Sequence, residues 1–201
     1  MSEPPFAEYA ARNTRPLLEV LRREFRAASD VLEIGSGTGQ HAVAFGKELG
    51  HLLWHTSDLD ENHAGIAAWI EQAGPDNVRA PLSLDVRNAS LRPASFDAVF
   101  SANTAHIMGI DAVRAMFALV GDVLMAPGVF CLYGPFRVGG KFNAASNEAF
   151  DRSLRERRAG MGIRDLEVLD EFGTSSGLTR RRLYAMPSNN YVGVWTTTGE
   201  S

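Results

Sequence analysis

Glu33, Gly35, Ser36, Gly37 and Gly39 stand together in the run Val31-Leu32-Glu33-Ile34-Gly35-Ser36-Gly37-Thr38-Gly39, and this is where the chain is best equipped for chemistry. A short apolar strand stops there in a glycine turn, whose backbone takes positive φ and lets a ligand approach the main chain. Residues 40–49 read as the helix that follows. Strand, glycine turn and helix form a cradle for a nucleotide-like cofactor. Dinucleotide sites use G-x-G-x-x-G, with the pyrophosphate resting on the helix start; here the spacing is G-x-G-x-G. A carboxylate at the strand end repels a pyrophosphate and suits a cationic aminoacyl group, so Glu33 argues against a dinucleotide.

Three further segments carry acids or polar groups at strand ends. Asp58 closes the segment 52–58, about 20 residues beyond the glycines, where a ribose-binding carboxylate is expected. Asp60 and Glu61 follow it and suit the start of a helix over 61–73 electrostatically. The segment 82–86 ends in Asp85 and Val86, and 96–108 reads as a fourth strand followed by Asn103 and His106. An acid before G-x-G-x-G, followed by these segments in this order, resembles motif I and its successors in the class I S-adenosylmethionine-dependent methyltransferases. The resemblance implies a cofactor site made of Glu33, Gly35, Ser36, Gly37, Gly39, Asp58, Leu59, Asp85, Val86 and Asn103. Asp85 is expected near the adenine amino group and Val86 against the ring. The cofactor implied is S-adenosyl-L-methionine, and the product S-adenosyl-L-homocysteine.

The elements that must position these residues alternate. Residues 15–25 form an amphipathic helix with Leu17, Leu18, Leu21 and Phe25 on one face, Pro16 in its first turn and Thr14 available as a cap. Arg12 and Asn13 precede it and are candidates to fold over the donor, Arg12 as a forked partner for its carboxylate. Strands over 31–34, 52–56, 80–84, 98–101 and 128–133 alternate with helices over 40–49, 61–73 and 111–124. This order predicts an α/β fold, a parallel sheet with helices on both faces and the ligand at the carboxyl ends of the strands. Residues 134–142 read as a glycine-rich lid, with Phe136 and Phe142 as apolar walls and Arg137 or Lys141 free for an anion. They do not form a P-loop, because Pro135 stands at the first glycine position and Phe142 replaces the required Ser or Thr. A helix over 146–158 is expected to turn Phe150 and Leu154 inward and most of its arginines outward, and 163–172 reads as another helix. Strand-like segments 177–185 and 191–197 flank Met186-Pro187-Ser188-Asn189-Asn190, which predicts a closing antiparallel pair.

At 201 residues and 45% hydrophobic, the chain buries a core as one domain over 1–201. A net charge of −4 gives no global attraction to nucleic acid or to an anionic membrane. No apolar run is long enough for a bilayer, and the first residues lack the basic-then-apolar order of a signal peptide, so a cytoplasmic location is expected. The single Cys131 reads as a buried small hydrophobe. His41, His51, His55, His63 and His106 fall on separate elements or a solvated stretch, so no metal site is expected.

A narrower resemblance runs over nearly the whole chain. Arg12-Asn13-Thr14-Arg15-Pro16, Leu32 to His41, Tyr133-Gly134-Pro135-Phe136, Gly162-Ile163-Arg164-Asp165 and Met186-Pro187-Ser188-Asn189-Asn190 resemble the domain-of-unknown-function 938 family, which includes methyltransferase-like protein 26. That family usually reads Met-Pro-Ala-Asn-Asn, so Ser188 is a small departure. The resemblance implies a class I methyltransferase fold, a mostly parallel seven-stranded sheet with an antiparallel last strand, and S-adenosylmethionine binding; it names no acceptor. Such chemistry depends chiefly on positioning. His106 is the first candidate for a general base and Tyr133 for orienting an acceptor, each against the alternative of a packed ring. Asn189 and Asn190 are candidates for substrate contacts, against the alternative of simple turn formers. With no recognition domain visible, a small-molecule acceptor is expected. A non-catalytic S-adenosylmethionine-binding protein and a nicotinamide-dependent oxidoreductase are the alternatives.

Overall fold

The computed structural model describes residues 4–197. Its elements run α1 (Glu8–Glu24), β1 (Asp30–Ile34), α2 (Gln40–Glu48), β2 (Leu53–Asp58), α3 (His63–Ala73), β3 (Val78–Ser83), β4 (Phe96–Ala102), α4 (Ile110–Val123), β5 (Leu124–Gly134), β6 (Phe136–Arg137), α5 (Ala145–Arg157), β7 (Arg164–Asp165), α6 (Leu166–Ser175), β8 (Leu178–Met186) and β9 (Asn190–Thr197), with short 3-10 turns at Asp60–Asn62 and Pro187–Asn189. The main sheet has seven strands in the order β3-β2-β1-β4-β5-β9-β8. β1 pairs in parallel with both β2 and β4, and β9 is antiparallel to β5 and β8. The chain leaves β1 toward β2 on one side and returns to β4 on the other, and such a switch point opens a crevice beyond the strand ends.

Strand alternation divides the core. Leu32 and Ile34 of β1 join Phe117, Val120, Leu169 and Trp195 beneath α4 and α6. Val31 joins Leu17, Leu21, Phe25, Phe45, Trp54 and Tyr133 beneath α1 and α2. The apolar face expected for the first helix is therefore present, and helices cover both sheet faces. Aromatic edges lock each layer: Phe117 meets Trp195 at 5.3 Å between centroids, and Phe45 meets Phe100 at 5.6 Å.

The structure corrects several sequence expectations. The first helix begins at Glu8, so Arg12 and Asn13 lie inside it and Pro16 is interior. Thr14 does not cap it; its hydroxyl donates back to the Ala10 carbonyl at 2.8 Å. The added turns are fastened from outside, because Gln40 Oε1 accepts the Ala7 N–H at 2.5 Å and His41 Nε2 lies 3.1 Å from the Ala10 carbonyl oxygen. On α5, Leu154 is buried but Phe150 is 37% exposed, with one ring edge on His106. The segment 163–172 is not all helix: Arg164–Asp165 pairs with Phe136–Arg137 before α6 starts.

Residues 134–142 are not a free lid. Phe136 is buried in the core and the Arg137 guanidinium donates to Asp165 Oδ2 at 2.6 Å. The Gly139 N–H donates to Glu167 Oε1 at 2.9 Å, and Val138 bridges to Lys141. These contacts convert a glycine-rich segment into a braced hairpin. Phe136 and Arg137 are thereby taken, the first as core and the second as an ion pair.

Candidate active site

A cleft of about 430 Å³ opens at the carboxyl ends of β1, β2 and β4. The glycine turn forms its floor. Gly35 N–H and Ser36 N–H both donate to the Ser57 carbonyl, at 3.0 and 2.9 Å, and Ser36 Oγ accepts the Ser57 N–H at 3.1 Å, so the turn is strapped to β2. Gly35 has φ +75°, and a Cβ there would lie 2.6 Å from Thr104 Cγ2. Gly37 has φ +59°, and a Cβ there would meet nothing within 4 Å. The turn is thus closed against protein at Gly35 and open at Gly37, as a cradle for a ligand requires.

Asp58 ties this turn to the second strand. Its Oδ2 accepts the Gly37 N–H at 2.7 Å, and its Oδ1 accepts from Leu59 N–H at 2.7 Å and Asn62 Nδ2 at 2.8 Å. Asp58, Leu59, Asp85, Val86 and Asn103 all line the cleft with Gly35, Ser36 and Gly37. Asp85 is gripped by Arg87, whose guanidinium and backbone N–H hold the carboxyl below its usual range. Asn103 adopts φ +60°, a conformation Asn tolerates better than most residues, and its N–H donates to the Tyr133 carbonyl at 2.9 Å. Its carboxamide has no protein partner among the described residues.

Other expected site residues lie elsewhere. Glu33 is 2% exposed and lies beneath the turn, accepting the Trp54 indole N–H at 3.1 Å. Burial pushes its carboxyl up to about 7, partly offset by hydrogen bonds from Trp54 and Ser36. Gly39 caps α2 and packs on Ile66 rather than lining the cleft. Arg12 is exposed and pairs with Glu8 at 3.6 Å, and Asn13 is half-buried; neither is among the residues that line the cleft. His106 is buried behind the wall, its ring against Phe150; burial and then the Arg164 charge push its imidazole down to about 4. Tyr133 belongs to the core under α1, where its hydroxyl accepts from Asn190 Nδ2 at 2.9 Å and burial raises its pKa. The Asn189 carbonyl is occupied by Asn143 and Asn147.

The remaining walls come from residues not expected in the site: Tyr9 and Ala10 of α1, His41, Thr104, Met108, and Arg158 with Met161 after α5. His41 is buried and pushed down to about 4, so it is neutral at pH 7. A carbonyl only accepts, so the His41 Nε2 near Ala10 carries the proton and Nδ1 keeps its lone pair. Only His41 carried a signal in the sequence, as the residue two beyond the last glycine. Among the described residues no three His, Cys, Asp or Glu side chains are grouped to hold a metal ion, and no helix is long and apolar enough to cross a membrane.

The sheet order and the cleft at its switch point are those of the class I methyltransferase fold. An O-methyltransferase family protein from Burkholderia thailandensis superposes with a TM-score of 0.80 at 13% identity, covering 96% of this chain and 59% of that one. PigF, solved with S-adenosylhomocysteine, gives 0.77 at 15% identity, with 94% of this chain and 64% of that one covered. CalO1, a methyltransferase in calicheamicin biosynthesis also solved with S-adenosylhomocysteine, gives 0.74 at 18% identity, with 95% and 54% covered. The chain spans less than two thirds of the length of these proteins. Residues 4–197 match the family described as protein of unknown function (DUF938), and the chain belongs to that family.

Proposed function

We propose that this protein binds S-adenosylmethionine in the cleft and transfers its methyl group to a small-molecule acceptor. The observation that carries this reading is the glycine turn, open at Gly37 and tied by that residue's own N–H to Asp58, with Leu59, Asp85, Val86 and Asn103 around the same cleft. When bound, the donor supplies a methyl group already made electrophilic by its sulfonium. Asp58 spends three acceptor positions on protein donors, leaving about one of the roughly four lone-pair sites of a carboxylate for a ribose hydroxyl. Leu59 and Val86 supply apolar surface for a ring, and Asp85 an acceptor for an exocyclic amine. The main chain at Gly37, open toward the cleft, receives the aminoacyl end. Glu33 supports the turn from below.

Catalysis on this reading is mainly positioning, a contribution of about 7–11 kcal/mol when reactants are held in line. Asn103, at the end of β4 with a free carboxamide, contacts the donor in the same cleft. His106, behind the wall and a weak base, holds the 104–108 segment in place.

Calorimetric titration with S-adenosylmethionine, S-adenosylhomocysteine and NAD tests the reading. Binding of the first two with no NAD binding is expected. NAD binding, or binding of none, overturns it; donor binding without turnover on any acceptor assigns the chain to donor-binding proteins without transfer activity.

A further inference from the structure

The cleft is electrically lopsided. Asp58, Glu61, Asp85 and Arg87 line the side of the cleft that follows β2 and β3, and Arg87 there is spent on Asp85 through hydrogen bonds at 2.9 and 3.1 Å. Arg158 also lines the cleft. It follows α5 directly and makes no ion pair or side-chain hydrogen bond among the described residues, whereas Arg137, Arg155 and Arg180 are each committed to a carboxylate.

Arg158 is exposed, yet the segment that carries it is pinned. Its carbonyl accepts the Met161 N–H at 3.1 Å, and the Gly162 N–H donates to the His106 carbonyl at 2.9 Å. The Ile163 N–H donates to Asp151 Oδ1 at 2.7 Å. Arg164 clamps this segment to the neighbouring wall, its Nη2 donating to the carbonyls of both Gly160 and Met108. A fixed backbone therefore presents an uncommitted guanidinium beside the apolar side chains of Ile107, Met108 and Met161, of which Ile107 is 47% exposed. A guanidinium fork matches a carboxylate or phosphate in shape as well as charge. The apolar side chains beside it suit a ligand with an apolar body.

We propose that Arg158 selects the acceptor, a small molecule with an apolar body and an oxyanion head, carboxylate or phosphate. As a statement about the acceptor this rests on the methyltransferase reading; as an anion site it stands on Arg158 alone.

The test uses protein labelled with ¹³C at its methionine methyl groups, with Met108 and Met161 assigned by M108L and M161L. The probes are 4-hydroxybenzoate, phenyl phosphate and the uncharged 4-hydroxybenzamide, each titrated with and without S-adenosylhomocysteine. At least one anion should shift both methyl signals and bind at least about tenfold more tightly than the amide, a difference that R158Q removes. R157Q, an exposed arginine outside the cleft, should leave it unchanged. The better anion decides between carboxylate and phosphate. Equal binding of all three probes, undiminished anion binding by R158Q, or no shift with either anion overturns the proposal. Anion binding without S-adenosylhomocysteine binding keeps the site and sinks the methyltransferase reading; the reverse sinks the site alone.

Discussion

The two ends of the cleft are built differently. At the glycine end, consecutive residues make the site: Gly35 and Ser36 hang from Ser57, and Gly37 from Asp58, all at the ends of two adjacent parallel strands. At the other end, Met108, Arg158 and Met161 arrive from two distant segments and are held by contacts such as those of Arg164. A ligand at the first end meets backbone whose shape is fixed by local geometry. A ligand at the second meets side chains whose identity can change with little cost to the fold. On the proposed reading, the first end suits an invariant donor and the second a particular acceptor.

The largest effect expected at the glycine end is from Gly35→Ala. The left-handed backbone adds about 1–2 kcal/mol, and the contact with Thr104 about 1–3 kcal/mol of overpacking. Gly37→Ala carries only the backbone cost, because its Cβ meets nothing, but places a methyl in the cradle. Urea unfolding should therefore rank Gly35→Ala clearly below Gly37→Ala, while both lose S-adenosylhomocysteine affinity; equal stability would mean that the turn is looser than described. Next comes Asp58→Ala, which leaves the N–H groups of Gly37 and Leu59 without their acceptor. A loss of about 1.5–3 kcal/mol in stability and at least about tenfold in S-adenosylhomocysteine affinity is expected by calorimetry; unchanged affinity would remove Asp58 from the donor site.

The pH dependence sharpens the contrast between the buried layers. Glu33 is raised from 4.5 to about 7, so the folded protein holds its proton more tightly than the unfolded chain, and its contribution is lost as pH rises through about 7. His41 is lowered from 6.5 to about 4, as is His106, so their contribution is present above about 6.5 and lost as pH falls toward 4. Between about pH 4.5 and 6.5 the two histidines outweigh Glu33, so stability should rise with pH toward a maximum near pH 7. Glu33→Gln should steepen that rise, from which Glu33 subtracts at most about 1.4 kcal/mol per pH unit between about pH 4.5 and 7; an unaltered slope would exclude Glu33 as a contributor. The smallest effect is expected from Arg12→Ala, whose exposed pair with Glu8 is worth about 0.3–0.5 kcal/mol. S-adenosylhomocysteine affinity within about twofold of the parent is predicted, and a larger loss would bring Arg12 back to the cleft.

The glycine end was legible in the sequence because its information is local. A run of apolar residues broken by G-x-G-x-G, and an acid at the end of the next strand, specify the turn and Asp58 without knowledge of the rest of the chain. The same reasoning did not foresee that Glu33 is buried, since an acid at a strand end faces whichever side the pleat dictates, and here that side holds Trp54. Pro16 reads locally as a helix start, yet long-range bonds from Gln40 and His41 hold two further turns before it. Glycines at 134, 139 and 140 read as a mobile segment, but pairing of Phe136–Arg137 with Arg164–Asp165 fixes them. Phe150 and Leu154 share a helical face by spacing alone, yet Leu154 is buried while Phe150 stays 37% exposed with its ring against His106. Arg158 carried no local signal, because its distinction is the absence of a partner that each of several other arginines has.

The bonds from Gln40 and His41 to the start of α1 have one more consequence. Both residues directly follow the glycine turn, and what they grip is the helical end whose Tyr9 and Ala10 overhang the cleft. Threshold and floor are therefore one mechanical piece. Traffic through the mouth has to reckon with the same few residues that shape the seat, so the time a bound molecule stays and the strength with which it is held are set in common rather than tuned apart.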